Sequence, residues 1–157
     1  MYQSILLSNF DIRNKDMKKV QFYFLDRTPT LKDRTRLKFF IDKLFTSEKK
    51  KLANISYIFC SDEHLLTINR EFLKHDFYTD VITFDLSSSR NEIEGEVYLS
   101  VDRIKDNAKQ LGVSIKEELH RVIFHSALHL CGYKDKNKVH QQQMRLAENK
   151  WLKLYFK

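Results

Sequence analysis

Apolar positions along the chain recur with two periods, and together they lay out short strands and amphipathic helices. Val20–Phe24 is a β-rich run bounded by charges and predicts a strand. Ile55, Tyr57 and Phe59 alternate with Ser56, Ile58 and Cys60 as a second strand. Val81–Phe84, after Asp80, reads as a buried strand, and Gly95–Ser100 alternates as another. Near the start, Ile5-Leu6-Leu7 suits a short edge strand followed by a solvated connector. Leu37, Phe40, Ile41, Leu44 and Phe45 fall at helical spacing, in a helix beginning at Thr30 after Pro29. Asp33 is its capping acid, and it runs out at Glu48–Lys51. Ser61 caps a short helix carrying Leu65, Leu66, Ile68, Asn69 and Phe72. A helix over Val101–Leu111 ends at Gly112. A last helix from Asn137 to Phe156 carries Met144, Ala147, Trp151 and Leu154. Ser87–Glu94 is polar and has the length of a hairpin-like link, not of a domain boundary. With no internal repeat, the elements predict an α+β fold. A small mixed sheet of about four strands, largely from residues 20–100, is covered by helices in one domain spanning residues 1–157.

Between the last two helices lies the most informative stretch, His125-Ser-Ala-Leu-His129-Leu-Cys-Gly132-Tyr-Lys-Asp135. Ser114-Ile-Lys-Glu117 is a capping box for its helix, and Leu119, Val122, Ile123 and Ser126 form the buried face. Histidines four apart on a helix sit about 40° apart around its axis, one turn above the other, so both imidazoles can reach one metal ion. Gly132 supplies the left-handed residue that ends a helix, and the reversal brings Asp135 round as a third ligand. Three protein ligands with a position left open is the arrangement of a catalytic zinc, one ion per chain. The histidine pair alone is a weak signal; the glycine and the acid at turn spacing strengthen it. His140, five residues past Asp135, is a rival third ligand, and Cys131 is expected to pack as a small buried side chain. Nitrogen and oxygen ligands suit nickel and iron as well as zinc.

Charge and composition narrow the partners. Lys and Arg exceed Asp and Glu by 7, which favours a polyanionic partner, with a membrane surface the alternative from charge alone. No apolar run has the length of a bilayer span, and the first ten residues lack the basic start of a signal peptide. Two cysteines, Cys60 and Cys131, fit a reducing cytoplasm better than a disulfide framework. The lysine cluster at 49–51 reads as a solvated helix end or a phosphate contact. In the loop 74–78, His75, Phe77 and Tyr78 are candidates either to stack bases or to pack on the sheet.

The stretch around the histidines resembles the signature of the YbeY family of bacterial ribosome-maturation endoribonucleases, H-G-x-L-H-L-x-G-Y-D-H. Asn69-Arg-Glu-Phe72, Thr79-Asp-Val-Ile-Thr-Phe84, Gly95-Glu-Val-Tyr-Leu-Ser100 and Glu117–Val122 resemble further blocks of that family, so the likeness covers roughly residues 20–150. The chain departs from the pattern at Asp135, where the family has a third histidine, at Lys134, and at Leu73, where it has an arginine. A carboxylate also ligates zinc, so the first departure changes the ligand set without abolishing it. Lys74 stands beside the missing arginine, but an ammonium is a poor copy of a bidentate guanidinium. The resemblance implies a zincin-like metal helix and a zinc-dependent endoribonuclease acting on single-stranded ribosomal RNA. It further implies work at the small subunit, in maturation of the 16S 3′ end and in ribosome quality control, with no nucleotide cofactor and no membrane.

In that reading His125, His129 and Asp135 hold the metal, and a metal-bound water or a substrate hydroxyl is the nucleophile. Lys74 and Arg121 are the candidate phosphate contacts. Two other classes compete. A metallopeptidase needs a glutamate after the first histidine as general base. Here that position is Ser126, leaving Glu117, Glu118 and Glu148 as substitutes. A non-catalytic ribosome-associated factor would use the metal structurally, with a fourth protein ligand closing the site.

Overall fold

The computed structural model describes residues 19–157, so the expected strand at Ile5–Leu7 lies outside the described residues. Strand β1 (Val20–Phe24) leads through helix α1 (Arg34–Ser47) to the long strand β2 (Lys51–Cys60). Helix α2 (Asp62–Ile68) continues into a single π turn over Asn69–Leu73. The hairpin of β3 (Val81–Asp85) and β4 (Glu92–Ser100) follows, and then α3 (Val101–Leu111), α4 (Ile115–Leu130) and α5 (Lys138–Tyr155). The sheet runs β1-β2-β4-β3, parallel across its first three strands and antiparallel at β3, so it is mixed as expected. No helix among the described residues is long and apolar enough to cross a membrane.

Alternation along β2 divides its side chains between two cores. Ile55, Tyr57 and Phe59 join a large cluster with Leu37, Ile41, Leu44 and Phe45 of α1 and with the apolar faces of α4 and α5. Ile58 and Cys60 point the other way, against Leu65 and Ile68 of α2 and Tyr98 of β4. A central strand covered on both faces must be apolar on both, which is why this one lacks a polar side over its last residues.

Four local expectations need correction. Helix α1 begins at Arg34, not Thr30; Asp33 sits at φ 50° and makes no side-chain cap. Leu31 is buried ahead of the helix, and the left-handed step at Asp33 turns the chain from that anchor into α1. Strands β2 and β4 start earlier than alternation suggests, because the polar residues Lys51 and Glu92 pair in register. The ladder there is set by partnership and not by burial. Among the described residues strand β3 lies at the sheet's edge with only Ile82 buried, and one of its flanks opens on a cleft. The segment through Phe72 closes as a π turn and ends at Lys74, φ 57°, instead of extending α2.

Helix α4 is fixed on the sheet by a close approach. A methyl group built on Gly95 of β4 would stand 2.8 Å from Leu130 Cδ1 and 3.3 Å from the Phe84 carbonyl oxygen. Only a residue without a side chain lets the last turn of α4 settle this deeply. From the same face the Tyr57 hydroxyl donates to the Ile123 carbonyl at 3.3 Å.

Candidate metal centre

Ser114 caps α4 as the spacing predicts, its Oγ accepting from Glu117 N at 3.0 Å, while the Glu117 carboxylate turns to Arg121 at 3.5 Å. Ile123, Phe124, Ala127 and Leu128 bury the helix, and His125 and His129 come to its rim with 22% and 28% of their side chains exposed. Their rings meet edge to face, centroids 4.5 Å apart.

The helix ends in a Schellman motif: Tyr133 N donates to Leu128 O at 3.1 Å and Gly132 N to His129 O at 2.9 Å. Gly132 adopts φ 102°, which residues with a side chain rarely take. The reversal has two results. It turns the Tyr133 carbonyl onto His129 Nδ1 at 2.9 Å. It also brings Asp135 Oδ2 to 3.2 Å from His129 Nε2 and 3.6 Å from His125 Nε2. Gln141 of α5 holds the loop by donating to the Asp135 carbonyl at 2.9 Å.

His125 is fixed from behind by Glu148 of α5, whose Oε1 lies 2.7 Å from Nδ1. Burial disfavours charge on this imidazole, but its bond to Glu148 and the charges of Glu148, Asp80 and Asp135 outweigh burial and raise its pKa. Glu148 is buried too, which alone would favour its neutral form. The His125 bond and charge, with Arg121 and Arg145, instead hold its pKa below the ordinary range.

A carbonyl oxygen and an ionised carboxylate only accept hydrogen bonds, so both histidines carry their proton on Nδ1. In the neutral rings each Nε2 therefore presents a lone pair, and both lone pairs face Asp135 Oδ2. In that neutral state the three acceptors converge as a receptor for a cation. The three ligand atoms lie within 4.8 Å of one another. Tetrahedral coordination at bond lengths of about 2.0–2.1 Å separates ligand atoms by roughly 3.3 Å. The 3.2 and 3.6 Å separations here bracket that value. The donors thus fit a zinc-like ion, and His, His and Asp are suitable ligand types for one.

The other sequence candidates are placed elsewhere. His140 lies in the first turn of α5, donating its backbone N to the capping Asn137 Oδ1 at 2.9 Å, and is no member of the cluster. Cys131 is half-buried, and burial with the Glu48 charge pushes its thiol up to about 12, away from thiolate. Arg121 is turned to acids and α5: its Nη1 donates to Glu148 Oε2 at 3.1 Å and to Asn149 Oδ1 at 2.9 Å. Neither Arg121 nor Lys74 lines the clefts that meet at the triad. Ser126 is buried and donates to the Ile123 carbonyl at 2.7 Å, within its own helix.

Two side chains placed against the triad escape the reading of the sequence. Glu148 entered it only as a substitute base, yet a carboxylate between Met144 and Trp151 on the buried stripe of α5 is a signal for a buried polar partner. Asp80 entered only through a family resemblance. It lines the cleft beside the triad, accepts from Asn107 Nδ2 at 3.2 Å, and has its pKa raised by burial against the opposing pull of His125.

Two clefts share His125 and Asp135. One, of about 730 Å³, also takes in His129, Leu73, His75 and Phe77. The other, of about 540 Å³, runs along α5 past Lys138, Gln141 and Arg145. The triad stands where they join.

Comparison with known proteins finds a match of residues 24–155 to the family model described as endoribonuclease YbeY. A curated endoribonuclease YbeY of Cytophaga hutchinsonii is 45% identical over 134 residues, 85% of this chain and 94% of that protein. The Bacteroides thetaiotaomicron protein of the same name is 44% identical over 126 residues, 80% of this chain and 90% of its own. A Thermotoga maritima protein solved in solution superposes with a TM-score of 0.62 at 25% identity, covering 86% of this chain and 89% of that one.

Proposed function

The chain belongs to the endoribonuclease YbeY family, and on that footing we propose that it is a metal-dependent endoribonuclease specific for single-stranded RNA. Its substrate in this reading is ribosomal RNA of the small subunit. Its work is maturation of the 16S 3′ end and ribosome quality control, in the cytoplasm. One zinc ion per chain is held by His125, His129 and Asp135.

The observation that carries this reading is the convergence of two imidazole Nε2 atoms and one carboxylate oxygen at the junction of two open clefts. A bound ion of this kind polarises a phosphoryl oxygen and lowers the pKa of a coordinated water to about 7. The protein's part is to hold the imidazoles rigid through Glu148 and the Tyr133 carbonyl, and to bring in the third donor on the turn after Gly132. Excess positive charge on the chain favours retention of a polyanion.

A peptidase reading lacks its base: Ser126 is buried within the helix, and Glu148 is engaged with His125 and Arg121. A purely structural ion would be enclosed by a fourth protein ligand. Among the described residues the cluster has three, and Asp135 keeps 43% of its side chain exposed.

The test compares purified protein, its metal-free form, the zinc-restored form and His129→Ala on a ribosomal RNA fragment ending in a single strand. Cleavage is expected only where metal and both histidines are present. Stoichiometric zinc without metal-dependent cleavage would overturn the nuclease reading in favour of a structural site.

A further inference from the structure

The two clefts that meet at the triad differ in chemistry, and the difference gives the substrate a direction. In the larger cleft, His75 and Phe77 stack on one another with centroids 5.1 Å apart and planes 20° from parallel. Phe77 leaves 57% of its surface in solvent, so the pair does not pack on the sheet. The loop carrying it is held from both sides by one buried residue: Asn69 Nδ2 donates to the Phe77 carbonyl at 2.9 Å, and His75 N donates to the Asn69 carbonyl at 3.1 Å. An exposed aromatic face held rigid ahead of binding loses little conformational entropy when a ligand lands on it.

Charge assigns the two clefts different parts of a nucleic acid. Asp80 and Asp85 line the aromatic cleft with one cation, Lys136, and disfavour phosphate there, while Asp135 is common to both clefts. The cleft along α5 sets Lys138 and Arg145 against one acid of its own, the buried Glu148, beside the amides of Gln141 and Gln142. Arg145 approaches Glu148 at 3.4 Å but keeps 56% of its side chain exposed, so it remains available to a phosphate.

We propose that Phe77, backed by His75, is a stacking platform for an unpaired base on one side of the reacting phosphate, and that Lys138 and Arg145 hold the phosphates on the other side. The strand thus crosses the triad from the aromatic cleft to the cationic one. A base inside a duplex has both faces covered by its stacked neighbours and none to offer the platform, so the arrangement selects single strands. This assignment rests on the ribonuclease reading above and adds to it the path of the strand.

The test titrates metal-loaded full-length protein onto an end-labelled, single-stranded 2′-O-methyl oligoribonucleotide, followed by fluorescence anisotropy over a range of salt. Phe77→Ala is expected to weaken binding about 5- to 100-fold, with the salt slope unchanged and Phe77→Trp restoring affinity. Lys138→Ala with Arg145→Ala is expected to make the slope shallower by about 1.4, roughly 0.7 for each phosphate left without its cation. Phe77 is exposed, so its variants should keep the wild-type melting temperature, which is checked first. Binding by Phe77→Ala within twofold of wild type, a weakening that Trp does not restore, or no binding by wild type would each overturn the platform. Wild type that binds with these dependences but does not cleave unmodified RNA would overturn the nuclease reading and leave the platform standing.

Discussion

Glu148 Oε1 accepts from His125 Nδ1 at 2.7 Å across the α4–α5 interface, joining side chains 23 positions apart. The contact fixes the ring's rotation and its tautomer together, and so aims Nε2 at Asp135. Carboxylates behind metal-binding imidazoles typically contribute roughly 10- to 100-fold in metal affinity. Glu148→Gln keeps the shape and removes the charge, so zinc affinity is expected to fall by about that range. Competition with a chromophoric chelator measures it; affinity within twofold of wild type would show that Glu148 is only a packing residue.

Asp135 sits in the turn after α4 with its side chain partly in solvent, outside the core. Asp135→Ala is expected to lower zinc content while leaving the circular dichroism spectrum and melting temperature of the metal-free protein unchanged. Asp135→His, which replaces one ligand type by another, should recover binding. Wild-type zinc content in Asp135→Ala would mean that the third ligand lies elsewhere.

Gly132 has open space around the position of a Cβ but takes φ 102°. The cost of Gly132→Ala is therefore one of backbone strain, about 1–3 kcal/mol by urea denaturation. The same substitution disturbs the turn that delivers the Tyr133 carbonyl and Asp135, so zinc affinity should fall as well. A stability loss with unchanged affinity would separate the turn from the site.

His120 is buried, stacked on Tyr155 with centroids 4.7 Å apart, and its Nδ1 donates to the Lys116 carbonyl at 2.6 Å. Among the described residues its buried Nε2 finds no hydrogen-bond partner. Burial lowers its pKa in the folded chain, more than the Lys116 carbonyl raises it. The unfolded chain, at about 6.5, then binds the proton first as pH falls. Stability is thus lost from about pH 6.5 downward until the folded value is passed, and is untouched above. His120→Phe keeps the stack and removes the titration. With chelator present throughout, its urea midpoint should fall less than wild type between pH 7.5 and 5.5. Parallel falls would exclude His120.

The parts of this molecule legible in its sequence are those governed by neighbours along the chain. Ser114 with Glu117, the histidines one turn apart, and Gly132 with Asp135 all act within a few residues, so spacing alone is enough to read them. Glu148, by contrast, becomes meaningful only when α5 lies against α4, and Arg121, expected to meet phosphate, is claimed by acids and an amide on the same and neighbouring helices. Val81–Asp85 has the composition of an inner strand but lies at the sheet's edge, because pairing order and not hydrophobicity decides position. The π turn at Asn69–Leu73 follows from the loop that Asn69 must hold, and no periodicity announces it.

The close approach of Gly95 to Leu130 also bears on how this sequence can drift. A methyl at 95 and an intact leucine at 130 compete for one space, and overpacking of this sort commonly costs about 1–3 kcal/mol. The two positions are therefore epistatic, and order matters. A smaller residue at 130 opens the way for a side chain at 95, whereas the opposite order passes through a strained intermediate. Since residue 130 directly follows the second histidine, the history open to α4 is partly written on the strand packed against it.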